Sequence, residues 1–444
     1  MTKGIILLLF LWVLLVLRSL QYAWIGVVGY AGFAVLCPTW NWRWGLPEWS
    51  YQKYLAGATL LSWFMAGLSQ QRLTRGGIVT LVSLVAYLAL SFVSSTQSIN
   101  LTKSAFYIDI SWKIILMVVI GTLILREPKH LMALAWVILL GQGWNAYNVN
   151  QLYYGRGINV NWFTWNFLDN NTYSISTVPI MAIAFALMVT AGNRYARWLA
   201  GLIFVLQMHQ LMFLQSRGTM LGALFLAAVA VYFMPKNRQS LTYVLGGLLA
   251  GVILAGPSVV EEFSSSFKAQ GELDSSADSR YLLWKAGARI MQDYPLLGVG
   301  PWAGEMKVPQ YYEGDIGGMS AKALHNLFFE VGTGSGVPAL ACYLLAFIIP
   351  WWQHFRLWRS DRHQFPEWMQ TVNLATLCGI PGYWAASMFS SGALIESPYL
   401  LIVLATAALA VYANRLEEQE LDSEDENLES VVDSDLPIPE VNCA

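Results

Sequence analysis

Charged residues are scarce in this sequence. Asp, Glu, Lys and Arg together make up 12% of 444 residues, against roughly 25% in soluble domains. A soluble chain of this length would divide into two or three domains and carry far more polar surface. With 56% hydrophobic and 14% aromatic residues, the scarcity excludes a soluble globular protein, a disordered chain and a peripheral amphipathic binder. Cysteine is as sparse: Cys37, Cys342, Cys378 and Cys443 are scattered, at least two of them inside apolar stretches. That excludes a disulfide framework and a zinc site. The chain has no tandem repeat and no obvious inverted repeat of the transporter kind. No small-x-small cleavage site follows the apolar run after Lys3, so the first helix is expected to be retained.

Long apolar runs are what the sequence does have. A bilayer core takes about 20 apolar residues per helix, roughly 17–25. Candidate spans lie near 4–17, 20–37, 54–69, 77–95, 111–125, 131–149, 173–192, 195–214, 217–234, 241–257, 326–351, 371–389 and 393–414. The first two are short enough to form one hairpin, which leaves 11 to 13 spans. The expected fold is therefore an all-α, polytopic transmembrane helical bundle. It divides into an N-terminal bundle over 1–257, a large loop over 258–325, C-terminal transmembrane helices over 326–414 and a tail over 415–444.

Lys and Arg in short loops set the orientation. Arg72 and Arg75, Arg126 and Lys129, Arg194 and Arg197, Lys236 and Arg238, and Arg356, Arg359 and Arg362 occupy alternate connections. All five are cytoplasmic in one consistent solution. Segments 38–53, 96–110, 150–172 and 258–325 then face outward, and the C-terminus faces the cytoplasm. The net charge of −2 conceals two unlike parts: residues 415–444 carry −10 and the rest +8. The acidic tail has a disordered, solubilising composition.

Two external segments stand out. Residues 150–172 hold Tyr153, Tyr154, Trp162, Trp165 and Phe167, an aromatic interfacial stretch. The 258–325 loop opens with a polar piece, Glu261–Ser279. Arg280, Trp284, Ala288 and Met291 then fall at helical spacing and predict an amphipathic helix over 279–294 that stops at Pro295. Long loops between spans are usually functional.

External or intramembrane charges oppose the topological bias or are costly at depth. Arg217, in Gln215-Ser216-Arg217-Gly218, is either a snorkelling interfacial arginine or a functional cation. Small neighbours there would let a substrate approach the backbone. Arg280 is either a surface charge paired with Asp278 or Asp274, or a second such cation. Lys285 and Arg289 fall on the polar face of the loop helix. Gly298-Val299-Gly300-Pro301-Trp302 predicts a tight turn; no strand precedes it, so it is no dinucleotide loop. His325, at the external start of a span, is a packed cap or a proton-transfer group. Glu330 and Glu396 are intramembrane carboxylates. Asp169-Asn170-Asn171 closes the aromatic segment. The external loops carry no Asp-x-Asp pair and no histidine cluster, which supports neither a metal-dependent hydrolase nor a nucleotide-sugar transferase. Two arginines instead suit a diphosphate, through forked and permanently charged donors. Phosphate-anchored group transfer without metal or cofactor is the chemistry expected.

The order of these motifs resembles the O-antigen ligase superfamily. It runs from Ser216-Arg217-Gly218 to Ser279-Arg280-x-x-x-Trp284 and Pro295-Leu296-Leu297-Gly298-Val299-Gly300, then His325-Asn326-x-x-x-Glu330 and Gly334-x-Gly336-Val337. Pro38-Thr39-Trp40-Asn41 and Asp169-Asn170-Asn171 are similar to the subgroup of exosortase-associated O-glycosylation ligases. The resemblance implies a bacterial inner-membrane protein with its active site facing the periplasm. It implies transfer of a glycan from undecaprenyl diphosphate to an acceptor hydroxyl of a lipid core, a protein or another glycan. Arg217 and Arg280 would then hold the diphosphate, and His325 would orient or deprotonate the acceptor. Glu330, Asp169, Asn170 and Trp284 would contribute to substrate binding. Membrane lipids are expected partners and nucleic acid is not. A polymerase and a lipid-linked oligosaccharide flippase are the competing functions. A transporter would place its charges near the midplane, whereas these gather at one external face.

Overall fold

The computed structural model describes residues 3–157, 168–254, 275–360 and 365–434. Trp162, Trp165, Phe167, Arg362 and most of the polar Glu261–Ser279 piece lie outside the described residues. The described fold is all-α. The N-terminal bundle holds α1 (Lys3–Gln21), α2 (Ala23–Leu36), α3 (Tyr51–Met65), α4 (Arg75–Thr96) and α5 (Leu101–Ile124). It continues with α6 (Pro128–Arg156), α7 (Asn170–Thr190), α8 (Arg194–Phe213), α9 (Arg217–Phe233) and α10 (Arg238–Leu254). Then come α11 (Ser275–Asp293), α12 (Leu327–Ser335), α13 (Val337–Ser360), α14 (Glu367–Ser387) and α15 (Glu396–Ser434).

Polar caps set where these apolar helices begin. Thr74 accepts from Gly77 N at 3.0 Å, Asn100 from Lys103 N at 3.0 Å and Asp169 from Thr172 N at 2.7 Å. Each satisfies an otherwise orphan first-turn amide. The central helix is α7, buried along nearly its whole length, whereas α1 lies at the edge. α14 packs most extensively against α7 and α9. Small residues permit that approach: Gly222 of α9 lies against Ala386, and Gly379 of α14 against Ala182.

Seven helices among the described residues are long and apolar enough to cross a membrane. Every predicted span contains a helix, so the shortfall has a physical cause. α3, α9 and α10 are only 15, 17 and 17 residues long. α6, α8 and α14 carry buried Gln142, Asn145, Asn150, Gln207, His209, Gln210 and Asn373, which lower their hydropathy. Several of these groups bond one another or the backbone: Gln142 Nε2 donates to Thr177 Oγ1 at 3.1 Å and to Gln210 Oε1 at 3.2 Å, and Asn373 Nδ2 donates to His354 O at 3.2 Å.

The basic connections gather at one end of the bundle. Arg126 donates to Ser69 Oγ at 2.8 Å, Arg72 pairs with Glu417 at 2.7 Å, and Gly192 N donates to Glu367 at 2.7 Å. Tyr232 meets Trp358, and Phe365 meets Tyr412, at the same end. Two expectations need correction. α15 continues beyond Arg415 to Ser434, where the composition predicted a disordered tail. Its Glu- and Leu-rich sequence has high helix propensity and extends a helix already begun in the bundle.

The second correction concerns the single span predicted over 326–351. It is broken into α12 and α13 at Gly336, whose φ of +90° suits only glycine. The break is held from outside by the Gly298–Trp302 stretch. Val299 N donates to Thr333 O and Gly300 N to Gly334 O, both at 2.9 Å, while Val337 N donates to Pro295 O at 2.8 Å. The predicted tight turn is thus a splice across a broken helix. A methyl at 336 would also collide with the Leu296 carbonyl. Gly336→Ala is therefore expected to destabilise the protein by at least about 1–2 kcal/mol from the backbone conformation alone. A lowered midpoint in thermal unfolding of the detergent-solubilised protein checks this.

Candidate active site

Three helix N-termini meet at the end away from the basic connections. α7 starts under the Asp169 cap, and Asn170 Nδ2 donates to Leu214 O at 2.9 Å. That bond fastens α7 to the turn leading into α9. In this turn Gln215 takes φ +51°, Ser216 Oγ lies 2.9 Å from Thr219 Oγ1, and Arg217 opens α9. α12 starts at Asn326, whose side chain accepts from Phe328 N at 2.9 Å and Phe329 N at 3.2 Å. The same side chain donates to Met388 O at 3.0 Å.

The hub of the site is the turn after α14. Phe389 packs against Gly218, where any added methyl would collide with it. The Phe389 ring lies 6.0 Å from the Arg280 guanidinium carbon and 6.1 Å from the Trp284 ring. Ser390 Oγ lies 3.4 Å from Thr172 Oγ1. Asp169, Asn170, Arg217, Arg280, Trp284 and His325 are therefore drawn together around Met388–Ser390. They come from four separate stretches of chain.

The loop helix α11 is present as expected, with a face the spacing did not single out. Leu283, Ala286 and Ile290 are buried with Val299, Ala303, Val308 and Leu324 in a small core of the loop's own. Lys285 and Arg289 on its polar face both pair with Glu313, at 2.6 and 2.7 Å. A separately packed layer thus carries Arg280 and Trp284 to the site.

His325 sits in the loop just before α12, with φ +47°. That conformation costs about 1 kcal/mol in a non-glycine residue. The Asn326 cap that follows it fixes where the helix begins. Burial holds the imidazole below its ordinary pKa near 6.5; Arg280 and Lys322 push the same way, and Asp169 opposes them. The ring is therefore neutral at pH 7 and able to accept a proton.

Lys322 is a site residue that the motifs missed. Its Nζ lies 4.4 Å above the Tyr312 ring, and it makes no ion pair among the described residues. A lysine in a mixed loop reads as solvated; only its place three residues before His325 hinted otherwise. The 388–390 turn was missed because it looked like a short connection between two spans. Replacing Lys322 by Gln removes a cation that disfavours the imidazolium, so the His325 pKa should rise. The acidic limb of a pH–activity profile should then move to higher pH. Asp169→Asn should move it to lower pH, and unmoved limbs in both variants would separate these charges from His325.

Glu330 is buried in α12, where its carboxyl bonds the Ser391 side chain beside the 388–390 turn, and its Oε2 has no hydrogen-bond partner among the described residues. Its carboxyl faces a buried group of tyrosines, Tyr87, Tyr107, Tyr383 and Tyr399. Glu396, at the start of α15, accepts from Tyr30 at 3.3 Å and Gln52 at 3.5 Å.

Anions favour such a place. The positive ends of helix dipoles, two arginines and a lysine converge on one small region. Residues 202–344 match the family model described as O-antigen ligase. Over those residues the chain is similar to the O-antigen ligase family. The matched region contains Arg217, Arg280, Trp284, Lys322 and His325, and it leaves Asp169, Asn170 and the 388–390 turn outside. The ligase-type motifs thus fall on the elements that build the site, while its frame comes from α7 and α14. No curated protein matches the chain.

Proposed function

We propose that this protein is a multi-pass glycan ligase that moves a glycan from a polyprenyl diphosphate carrier to an acceptor hydroxyl. The observation that carries this reading is the convergence of His325, Arg280, Lys322 and Asp169 beside the Arg217 helix start. The arginines grip the diphosphate through forked hydrogen bonds. His325 takes the proton from the acceptor hydroxyl as its oxygen attacks the anomeric carbon. The bond from that carbon to the diphosphate oxygen breaks, and polyprenyl diphosphate leaves with both electrons. Charge building on the leaving oxygen is met by cations already in place, which avoids reorganisation during the step. Attack opposite the leaving group inverts the anomeric centre. The arginines supply the positive charge that such a step needs, so the reading requires no metal.

With the basic connections in the cytoplasm, the site faces the periplasm of a bacterial inner membrane. The carrier there is undecaprenyl diphosphate, and the acceptor is a hydroxyl of a lipid core, a protein or another glycan. The test is to reconstitute the purified protein in lipid vesicles with an undecaprenyl-diphosphate-linked oligosaccharide and a candidate acceptor. Glycosylated acceptor and free undecaprenyl diphosphate are expected in equal amounts. Movement of the intact glycolipid between leaflets without any transfer would favour a flippase.

A further inference from the structure

Outward faces of the bundle expose both aliphatic and aromatic residues, such as Ile6, Leu7 and Phe10 on α1 and Trp198 on α8, but beside the active-site end exposed rings alternate with a chain of bonded amides. There the last three turns of α6 expose Trp144, Tyr147, Gln151 and Tyr154. Their spacings of three, four and three residues make one stripe on the helix. Trp42, from the turn after α2, stacks on Trp144 with ring centroids 5.6 Å apart and planes 20° apart. The Tyr147 ring lies 5.9 Å from Trp144, tilted by 43°.

Amides are interleaved with these rings. Asn148 Nδ2 donates to Asn41 Oδ1 at 3.1 Å, and Asn41 Nδ2 donates to Asn145 Oδ1 at 2.9 Å. Asn145 Nδ2 is itself tied to Val35 O at 2.7 Å. The chain of amides fixes the turn on α6. It leaves Asn148 Oδ1 and the Tyr147 hydroxyl uncommitted among the described residues. The amides hold their bonding groups in fixed directions between the rings.

This shelf adjoins the active site. Trp40, on the same turn as Trp42, packs with Cys37, Leu152 and Leu168 against Val149, Tyr173, Phe213 and Leu214. Leu214 is the residue whose carbonyl receives the Asn170 amide, three positions before Arg217. This buried cluster ties the turn that carries Trp42 to the helix start that carries Arg217.

We propose that this aromatic and amide shelf is a saccharide-binding subsite, which holds neutral sugar units of the lipid-linked donor while the arginines hold its diphosphate. A pyranose presents an apolar C–H face that fits an indole or phenol ring, and rim hydroxyls that pair with amides. Stacked aromatics with a few fixed polar groups are the combination that binds such amphipathic ligands. The assignment of the ligand to the donor rests on the ligase function proposed above.

The test uses the full chain in lipid nanodiscs and two kinds of probe. The first is a panel of lipid-free, neutral oligosaccharides of hexose, N-acetylhexosamine and 6-deoxyhexose, followed by saturation-transfer NMR. The second is undecaprenyl diphosphate bearing no sugar, followed by native mass spectrometry. Trp144→Leu, Tyr147→Leu and Asn148→Leu keep the surface compatible with lipid, and thermal unfolding reports whether they remain folded. At least one oligosaccharide should bind the parent protein in the millimolar range and bind Trp144→Leu and Asn148→Leu at least tenfold more weakly. All three variants should bind bare undecaprenyl diphosphate as the parent does. Failure of every oligosaccharide to bind the parent, or equal binding to the leucine variants, would overturn the subsite and leave an interfacial aromatic belt. Failure of the ligase function shows elsewhere, as full diphosphate binding and transfer by Arg217→Ala and Arg280→Ala.

Discussion

Arg280→Ala should lower glycan transfer by about 10²–10³-fold, the loss seen when one preorganised donor to a developing anion is removed. The loss should fall mainly on kcat, because charge at the leaving oxygen grows as the glycosidic bond breaks. Arg217→Ala should show a loss of the same order. Lysine at either position should restore only part of the rate, since a point charge cannot reproduce forked contacts to phosphate oxygens. Arg280 rides on α11, whose small core of Leu283, Ala286 and Ile290 packs independently of that position. Its truncation should therefore leave the thermal midpoint near that of the parent. An Arg280→Ala variant with a normal midpoint and normal kcat would remove the residue from the chemistry.

Replacement of His325 should cost about 10²–10⁴-fold, the usual contribution of a positioned general base. The choice of substitution matters because this backbone lies at φ +47°. Asparagine tolerates that region better than alanine does, so His325→Asn separates loss of the base from loss of the turn. In the parent, activity should persist below pH 6.5 and fall only as the lowered pKa of His325 is crossed, since protonation removes the base. The His325→Asn variant should lose that limb from its residual rate. An identical acidic limb in both proteins would assign it to another group.

Much of this architecture is legible in the residues. Runs such as Val79–Phe92 allow only a membrane helix, and alternating cations such as Arg126 and Lys129 order the ends. The helix over 279–294 was legible from its spacing and its stop at Pro295. The break at Gly336 was not, because Val337–Trp351 continues apolar and a glycine inside a membrane span is common. Only a partner stretch far off in sequence, Pro295–Trp302, makes the break favourable. The site shows the same division. Arg217, Arg280 and His325 stand out as cations or a histidine on an external face. Phe389, Met388 O and Lys322 do not, since their roles arise from contacts across the fold. Glu330 was legible as an intramembrane carboxylate, but sequence spacing could not show that it meets Ser391 on one side and the buried Tyr87 and Tyr107 on the other.

The C-terminal helix shows how composition can mislead. Residues 415–434 are acidic enough to read as disordered, yet α15 continues through them from a buried membrane segment. Propagating an existing helix adds a hydrogen bond for each residue fixed and avoids the cost of nucleation. Arg72 pairs with Glu417 at 2.7 Å and ties the first turn beyond the bundle to a basic connection. Both groups are well exposed, so this pair contributes little stability.

The most direct test of the central claim is single-turnover transfer in vesicles from a defined undecaprenyl-diphosphate oligosaccharide, with parent, Arg217→Ala, Arg280→Ala and His325→Asn compared side by side. The account predicts one undecaprenyl diphosphate released for each glycan transferred, inversion at the anomeric carbon, and a large loss in all three folded variants. Full transfer by all three variants, or glycolipid translocation by the parent with no transfer, would contradict it.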